Sequence, residues 1–299
     1  MKITATPGKT DSFTDVMGIK VGQAHDVGVN TGTTVIIPDN PIPMGVDVRG
    51  GGPGTRDTNA LDPTCLVEEF HGLVLSGGSV FGLDAAGAVT EALSEKGIGF
   101  PFGPRALPVV PSAILFDLKN GGDKNWGAEA PYRRLGLEAL NNLSTTVEHG
   151  RFGAGHGATA GGVQGGIASA SLETEDGLIV SAIVAVNSFG PTVHDVPMEH
   201  GTIEMPKLGF VGTNTTIGAV ATNLKLDKAG CTRLAMMAQD GYARAIRPIH
   251  TPFDGDTVFA MATGDKEVSK DAMATTMAVA GTLAADCVAK AIEKAVKAA

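Results

Sequence analysis

Glycine constrains the fold of this chain more than any other residue type. Of its 299 residues 41 are glycine, while aromatic residues make up only 5%. The glycines follow no strict period, which excludes a collagen helix, and they gather in stretches such as VRGGGPGTR, LSGGSVFG and AGGVQGG. Glycine lets strands and helices approach closely and adopts backbone angles that other residues avoid. The pattern therefore predicts a tightly layered α/β protein.

The composition is typical of a folded globular protein and argues against some classes of binding partner. Hydrophobic residues make up 43% of the chain and charged residues 18%, unlike a disordered protein. The formal charge of −9 argues against binding to nucleic acid or to an anionic membrane surface. The three cysteines lie far apart, without a CxxC pair. We therefore expect free thiols, no metal site and no cofactor.

The hydropathy of the chain bears on its location. Its first residues, MKITATPGKTDSF, lack the apolar core of a secretory signal. Nowhere do eighteen apolar residues run together, so no membrane-spanning segment is predicted. Together with the free thiols, these features lead us to expect a cytoplasmic protein.

Short apolar runs alternate with helical patterns along the chain. A helix is predicted from Ser79, as its N-cap, to a stop at Gly97. Two further helices are predicted at 226–246 and 269–299. No low-complexity linker divides the chain, so we predict a single domain over residues 1–299. The predicted strands lie at 18–24, 33–38, 72–78, 112–118, 177–187, 216–223 and 257–264.

The stretch VGTNTTIG places hydroxyl groups at the point where the chain enters a predicted buried strand. Threonine is a poor nucleophile unless a base lies beside it, and an N-terminal threonine carries such a base in its own α-amine, with a pKa of about 7.7–8.0. Cleavage of the Asn214–Thr215 bond, next to the flexible Gly212, would create that terminus. The more ordinary interpretation of these residues is a polar turn that caps a strand.

A pair of carboxylates follows at the start of a later predicted strand. Asp254 and Asp256 are two residues apart, so in an extended segment they point to one face, about 6.5–7 Å apart. Such a pair would hold the hydroxyl and the amine of an N-terminal threonine, and one carboxylate would raise the pKa of the other. A solvated Asp-Gly-Asp turn is the simpler interpretation of the same residues.

Taken in order, the motifs of the chain resemble those of a known family. They resemble the self-cleaving aminopeptidases of the DmpA type (L-aminopeptidase/D-esterase) and, within that group, the nylon-oligomer (6-aminohexanoate-oligomer) hydrolases. The resemblance covers nearly the whole chain. The motifs that carry it include FTDVMGIKVGQAHD, GVDVRGGGPGTRDT, LVLSGGSVFGLDAAGAV, GAGHGATAG, VAVNSFG, NTTIGAVATN and HTPFDGDTVFA.

The resemblance implies a mechanism and a fold. It implies self-cleavage into an α chain, residues 1–214, and a β chain, residues 215–299, which stay together. Thr215 would be the nucleophile and its new amine the base. The implied fold is a single-domain, four-layer αββα sandwich, the implied assembly a homotetramer of cleaved protomers, and the implied substrates short peptides or ω-amino-acid oligomers.

The resemblance also implies roles for other residues. Asn187 matches an asparagine that helps to bind the oxyanion, and the aspartates of HTPFDGDTVFA match the acidic pair that flanks the nucleophile. The turn of Gly77 and Gly78 would line the substrate cleft, together with Phe116 and Thr216. Two departures stand out: Phe116 replaces a tyrosine of the nylon-oligomer hydrolases, and Gly161 and Gly162 lie where those enzymes carry a lysine.

Three other functions are compatible with the same sequence. An asparaginase-type enzyme would use Thr216 as its nucleophile, because TIGAVA also resembles the strand after the catalytic threonine in that group. An acyltransferase of the ornithine-acetyltransferase kind would share the architecture. An uncut, non-enzymatic relative would keep the fold without the chemistry.

Overall fold

The chain folds into two β-sheets flanked by helices. The computed structural model describes residues 2–193, 201 and 214–299. The strands are β1 (Ala5–Pro7), β2 (Ile19–Asp26), β3 (Thr31–Pro38), β4 (Met44–Val48), β5 (Thr55–Arg56), β6 (Leu73–Ser76), β7 (Ser112–Ile114), β8 (Thr159–Ala160), β9 (Val163–Gln164), β10 (Gly166–Thr174), β11 (Ile179–Asn187), β12 (Thr215–Leu224) and β13 (Thr257–Lys266). The helices are α1 (Asp84–Glu95), α2 (Tyr132–Asn141), α3 (Lys228–Ala245) and α4 (Lys270–Lys297).

The two large sheets stack between two helical layers. One sheet has six strands in the order β1-β10-β11-β12-β13-β4, and the other has five in the order β2-β3-β6-β7-β5. Helices α3 and α4 pack on the six-stranded sheet, while α1 and α2 pack on the five-stranded sheet. This arrangement is the predicted four-layer αββα sandwich, and the prediction is confirmed.

Strand β12 shows how the layers are filled, because it is buried on both faces. Ile217 and Ala219 belong to the hydrophobic cluster between the two sheets, whereas Val220 belongs to the cluster under α3 and α4. Side chains of a strand alternate between its faces. A strand that lies between two apolar layers is therefore apolar at nearly every position, as the sequence IGAVA is.

Glycines allow the layers to approach closely. A Cβ on Gly45 of β4 would lie 2.2 Å from the backbone nitrogen of Thr232 in α3. A Cβ on Gly241 of α3 would lie 2.4 Å from the carbonyl oxygen of Ala285 in α4. Real carbon atoms do not approach so near, so these backbones pack at distances that only glycine permits.

The predicted first helix differs from the structure at its start. Ser79 is not its N-cap: it has a positive φ of 53° and begins a short 3-10 turn, Ser79–Leu83, before α1 starts at Asp84. The turn forms because Gly78, also left-handed with φ 88°, redirects the chain. The predicted stop is confirmed, since Gly97 with φ 73° follows the helix end as a glycine beyond a C-cap does.

Helix α4 is the longest apolar element among the described residues. By length and hydropathy alone it could cross a membrane, and 39% of its most apolar 18-residue stretch is buried within the protein. Its C-terminal half packs on β10, β11 and α3, which is also how a core helix of a folded domain behaves. The lysines of its last turn, Lys294 and Lys297, suit the negative end of the helix dipole.

Candidate active site

The fold brings the main predicted site residues together at one end of the six-stranded sheet. Thr215 is the first residue of β12 and lies between β11 and β13. Asn187, the last residue of β11, is directly opposite Thr215 in the antiparallel register. Asn214 forms an isolated parallel bridge with Asp254, just before β13. Thr215 is 2% exposed, while Asn187, Asp254 and Asp256 are fully buried.

The two neighbouring threonines point to opposite faces of the sheet. Thr215 has the parity of Ile217, which packs between the sheets, and residues directly opposite each other on paired strands share a face. Thr215 therefore shares its face with Asn187. Thr216 points toward α3 and α4, where its hydroxyl is buried and has no hydrogen-bond partner among the described residues.

The peptide bond between Asn214 and Thr215 is held by one backbone donor. The N–H of Gly255 donates to the carbonyl oxygen of Asn214 at 3.1 Å and to Oγ1 of Thr215 at 3.1 Å. The Thr215 hydroxyl itself donates to the Asn214 carbonyl. Gly255 is thus a site residue that the sequence analysis missed, although it is the middle residue of Asp-Gly-Asp. Gly212, upstream of the bond, lies outside the described residues.

The orientation of the Asn187 side-chain amide is fixed by two backbone groups. Its Oδ1 accepts from the N–H of Thr159 at 2.9 Å, and its Nδ2 donates to the carbonyl of Phe116 at 3.0 Å. A backbone N–H can only donate and a carbonyl can only accept, so the oxygen and nitrogen of this amide are assigned by its surroundings. The amide nitrogen carries two hydrogens, and the described part of the chain offers no acceptor for the second.

The carboxylate of Asp256 is committed to backbone and imidazole donors. Its Oδ1 accepts from the N–H of Thr216 at 2.8 Å, and its Oδ2 accepts from the N–H of His250 at 2.9 Å. The Nδ1 of His250 lies 2.9 Å from the same Oδ2. The Asp256 carboxylate thereby holds the backbone at the start of β12. None of its described hydrogen bonds is to the Thr215 hydroxyl.

The carboxylate of Asp254 lies between two loops. Its Oδ1 accepts from the N–H of Phe189 at 3.2 Å. Its Oδ2 accepts from the N–H of Thr251 at 3.0 Å and from the Thr251 hydroxyl at 2.5 Å. Burial, followed by the negative charge of Asp256, raises the pKa of Asp254 to about 6. A carboxylate with such a pKa exchanges its proton close to neutral pH, as the sequence analysis expected of one member of the pair.

The described contacts of the predicted cleft residues Phe116, Gly77 and Gly78 are with other groups of the protein. Phe116 contributes its backbone carbonyl to Asn187. The Gly77–Gly78 turn wraps around the buried carboxylate of Asp117: the N–H of Gly78 donates to its Oδ1 at 2.8 Å, and a Cβ on Gly77 would lie 2.1 Å from its Oδ2. The role of this turn and of Phe116 in lining a substrate cleft stays a prediction.

Gly161 and Gly162, which the resemblance sets where nylon-oligomer hydrolases carry a lysine, form the turn between β8 and β9. Gly161 and Gly162 have positive φ angles of 56° and 90°. A Cβ on Gly161 would lie 2.3 Å from the Cα of Pro191, whereas nothing lies within 4 Å of a Cβ on Gly162. The hairpin contacts the site, since the N–H of Gly161 donates to the carbonyl of Ser188 at 3.0 Å. A lysine at Gly161 would therefore require a different backbone path.

The candidate site offers oxygen and nitrogen groups of the protein for chemistry. Residues 2–193, 201 and 214–299 contain no group of three or more His, Cys, Asp or Glu side chains arranged to hold a metal ion. The arrangement supplies a hydroxyl nucleophile, backbone and amide donors, and a carboxylate that titrates near pH 6. These are the components of acyl transfer.

The fold is shared with solved structures of low sequence identity. The chain superposes on an L-aminopeptidase D-Ala-esterase/amidase from Ochrobactrum anthropi, described as a variant of the Ntn hydrolase fold, with a TM-score of 0.79 at 22% identity; 100% of this chain and 89% of that chain are covered. It superposes on a β-aminopeptidase of Burkholderia sp. with a TM-score of 0.76 at 23% identity, covering 98% of this chain and 88% of the other.

Sequence comparison extends the similarity beyond the fold. The chain is 38% identical to an uncharacterized aminopeptidase of Mycobacterium leprae (strain TN), over 97% of this chain and 91% of the relative. It is 29% identical to a 6-aminohexanoate-oligomer endohydrolase of Paenarthrobacter ureafaciens, over 84% of this chain and 74% of the relative. The family profile of Peptidase family S58 matches residues 11–299. The chain therefore belongs to Peptidase family S58 and is a hydrolase that acts on amide bonds.

Proposed function

We propose that this chain cuts itself between Asn214 and Thr215 and then works as an amide hydrolase with an N-terminal threonine. The observation that carries the proposal is the position of the Gly255 N–H, which donates both to the Asn214 carbonyl and to the Thr215 hydroxyl oxygen. A donor on that carbonyl stabilises the negative charge that develops there when the hydroxyl attacks.

Self-cleavage proceeds as an N-to-O acyl shift followed by hydrolysis. Oγ1 of Thr215 attacks the carbonyl carbon of Asn214, the C–N bond breaks, and the hydroxyl proton passes to the Thr215 nitrogen. The product is an ester between Asn214 and the Thr215 side chain, with a free α-amine. Water then cleaves the ester, leaving a carboxyl group on Asn214 and restoring the hydroxyl of Thr215.

Turnover uses the amine that this reaction creates. With a pKa of about 7.7–8.0, the α-amine of Thr215 accepts the proton of its own hydroxyl near neutral pH. The oxygen attacks the substrate carbonyl, and the second N–H of Asn187 Nδ2 donates to the oxyanion. The amine passes its proton to the leaving amine, and water releases the acyl group from Thr215. The backbone of Asp254 bridges to that of Asn214 in the uncut chain, and we assign to its carboxylate the role of holding the new ammonium.

The proposed substrates are short peptides or ω-amino-acid oligomers. The names of the relatives support both, since they include an aminopeptidase and a 6-aminohexanoate-oligomer endohydrolase. The Gly161–Gly162 hairpin, where nylon-oligomer hydrolases carry a lysine, favours peptides as the better substrates. A homotetramer of cleaved protomers in the cytoplasm belongs to the same proposal.

Two threonine variants test the proposal and separate it from the asparaginase-type alternative. Wild type should give two bands on a denaturing gel and hydrolyse an amino-acid p-nitroanilide. Thr215→Ala should stay uncut and inactive, whereas Thr216→Val, which changes the opposite face of β12, should still cut itself and turn over. The reverse pattern would assign the chemistry to Thr216. An uncut, inactive wild type would favour a non-enzymatic role, and acetyl transfer from acetylornithine to glutamate would favour the acyltransferase.

A further inference from the structure

Asn120 contacts the amide that is proposed to bind the oxyanion. Its Nδ2 donates to Oδ1 of Asn187 at 3.2 Å and to the carbonyl of Gly157 at 2.8 Å. An amide nitrogen carries two hydrogens, so these two bonds use both. Asn120 thus contacts the oxygen end of the Asn187 amide, away from the Nδ2 hydrogens of Asn187.

The loop that carries Asn120 is itself firmly anchored. The N–H of Asn120 donates to the carbonyl of Asp117 at 3.1 Å, and its own carbonyl accepts from Nδ2 of Asn30 at 2.6 Å. The Asp117 carboxylate is fully buried and accepts from the Thr31 hydroxyl at 2.6 Å. The same loop supplies the Phe116 carbonyl to Asn187 Nδ2. Residues 116–120 therefore hold the Asn187 amide from both ends.

The reaction needs one of two orientations of that amide. The two ends of an asparagine amide have nearly the same shape, but one end donates and the other accepts. If the amide rotated by half a turn, Oδ1 would face the oxyanion and repel it. Thr159 and Phe116 oppose this rotation through backbone groups, and Asn120 adds a donor that only Oδ1 can accept.

We propose that Asn120 is a positioning residue, whose side-chain donor keeps the Nδ2 of Asn187 turned toward Thr215. This inference rests on the proposed function, in which Asn187 binds the oxyanion. Asn120 does not touch the reacting atoms. Its loss is therefore expected to lower kcat with little change in KM.

Two substitutions separate positioning from simple packing. Asn120→Asp keeps the shape of the side chain but replaces the donor by a carboxylate, which repels Oδ1 of Asn187 and attracts Nδ2. Asn120→Ala removes the donor and adds no acceptor, so Thr159 and Phe116 still hold the amide. The isosteric variant should consequently be the worse one: we expect a loss of about 10²-fold for Asn120→Asp, the effect of losing an oxyanion donor, and less than about 10-fold for Asn120→Ala.

The pH dependence gives a readout that a packing defect would not change. When the new carboxyl group is protonated it becomes a donor again, so the ratio of the Asn120→Asp rate to the wild-type rate should rise as the pH falls. Asn223→Asp is the matched control, because Asn223 donates to the carbonyl of Gly177 at 2.9 Å near the far end of β12. That control should cut itself and turn over as wild type does, at every pH.

The experiment measures kcat per cleaved protomer, the self-cleavage rate, and a double-mutant cycle of thermal unfolding between Asn120→Ala and Asn187→Ala. A kcat loss that is larger for Asn120→Asp and recovers at low pH, with coupled unfolding energies, supports the proposal. Equal losses in both Asn120 variants, a change confined to KM, or uncoupled unfolding energies would overturn it. An uncut, inactive wild type would overturn the proposed function and, with it, the positioning role of Asn120. In that case the unfolding cycle would still show whether Asn120 and Asn187 stabilise each other.

Discussion

At the scale of single residues, the site depends on a position where no side chain fits. A Cβ on Gly255 would lie 2.7 Å from Oγ1 of Thr215 and 2.9 Å from the carbonyl oxygen of Gly52. Its N–H is the donor to the Asn214 carbonyl. Glycine is required here because of what lies beside it, and not because of its own backbone angle.

Gly255→Ala should therefore slow self-cleavage without unfolding the chain. The added methyl group pushes the hydroxyl or the donor out of place, and loss of one oxyanion donor costs about 10²–10³ in rate. The accumulation of the two fragments after expression is followed by denaturing gel. Gly103→Ala is the control, because no atom lies within 4 Å of a Cβ there. Cleavage of Gly255→Ala at the wild-type rate would show that this donor is not used.

The raised pKa of Asp254 predicts the pH dependence of turnover. Burial and the charge of Asp256 raise this pKa to about 6, and an ionised Asp254 is needed to hold the amine of Thr215. Cleavage adds the Thr215 ammonium beside Asp254, and this positive charge lowers the pKa of Asp254. The rise in activity that accompanies ionisation of Asp254 should therefore lie below about pH 6, apart from the rise at the amine pKa of about 7.7–8.0. The Thr251 hydroxyl donates to the ionised carboxylate, so Thr251→Val should raise the pKa of Asp254 and move the rise to higher pH by about one unit.

The measurement is a profile of kcat against pH for wild type, Thr251→Val and Thr251→Ser. The serine variant keeps the hydroxyl and should retain the wild-type profile. An acidic limb that stays in place in Thr251→Val would assign the titration to another group.

The sequence predicted part of this site and missed the part that only folding creates. Thr215 and the acidic pair stand out because their residue types suit the chemistry, and Asn187 stands out by resemblance. Gly255 and Asn120 act through contacts with residues far along the chain, so no local spacing marks them. In the uncut chain the described hydrogen bonds of the acidic pair go to backbone N–H groups, His250 and Thr251, and its hold on the hydroxyl and amine of Thr215 stays a prediction.

At the scale of elements, the contact between α3 and α4 is set by small residues. Gly241 of α3 faces the α4 backbone at Ala285. Gly281 of α4 faces the side chain of Met237 instead. A methionine side chain is able to move, whereas a helix backbone is not.

Gly241→Ala should destabilise the protein more than Gly281→Ala. Both changes gain similar helix propensity, about 1 kcal/mol, but overpacking against the α4 backbone costs about 1–3 kcal/mol. The free energy of unfolding in urea checks this expectation. Equal stabilities would mean that the helices separate easily and that close packing at Gly241 is not needed.

The predictability of an element followed its hydropathy. Strand β12 is apolar and was predicted almost to the residue, at 216–223 against the observed Thr215–Leu224. Strand β10, Gly166–Thr174, was missed, although it lies between β1 and β11 in the same sheet. Its Ser169 and Ser171 bond to partners such as His149 and Asp15. These serines alternate with the apolar residues Ala168, Ala170 and Leu172, so the strand is not a continuous apolar run.

At the scale of the whole molecule, the proposed cut falls in the middle of a sheet. The fragment 215–299 would contain β12, β13, α3 and α4. Strand β12 pairs with β11 over Val180–Asn187, and β13 pairs with β4. Strands β12 and β13 also contribute side chains to the hydrophobic cluster between the two sheets. The cut therefore removes one peptide bond and leaves these layers in contact.

The two fragments should accordingly stay together after cleavage. Gel filtration of wild type should give one peak that contains both bands of the denaturing gel, with the same elution volume as the uncut Thr215→Ala. Denaturant should be needed to separate them. Two native peaks, one for each fragment, would contradict the proposal that the cleaved sandwich is the enzyme.

The most direct test of the proposed mechanism is the mass and N-terminal sequence of the small fragment in an active preparation. The account predicts a fragment of residues 215–299 that begins Thr-Thr-Ile-Gly. A fragment that begins Thr-Ile-Gly-Ala, or full activity from a chain that is unbroken between Asn214 and Thr215, would contradict it.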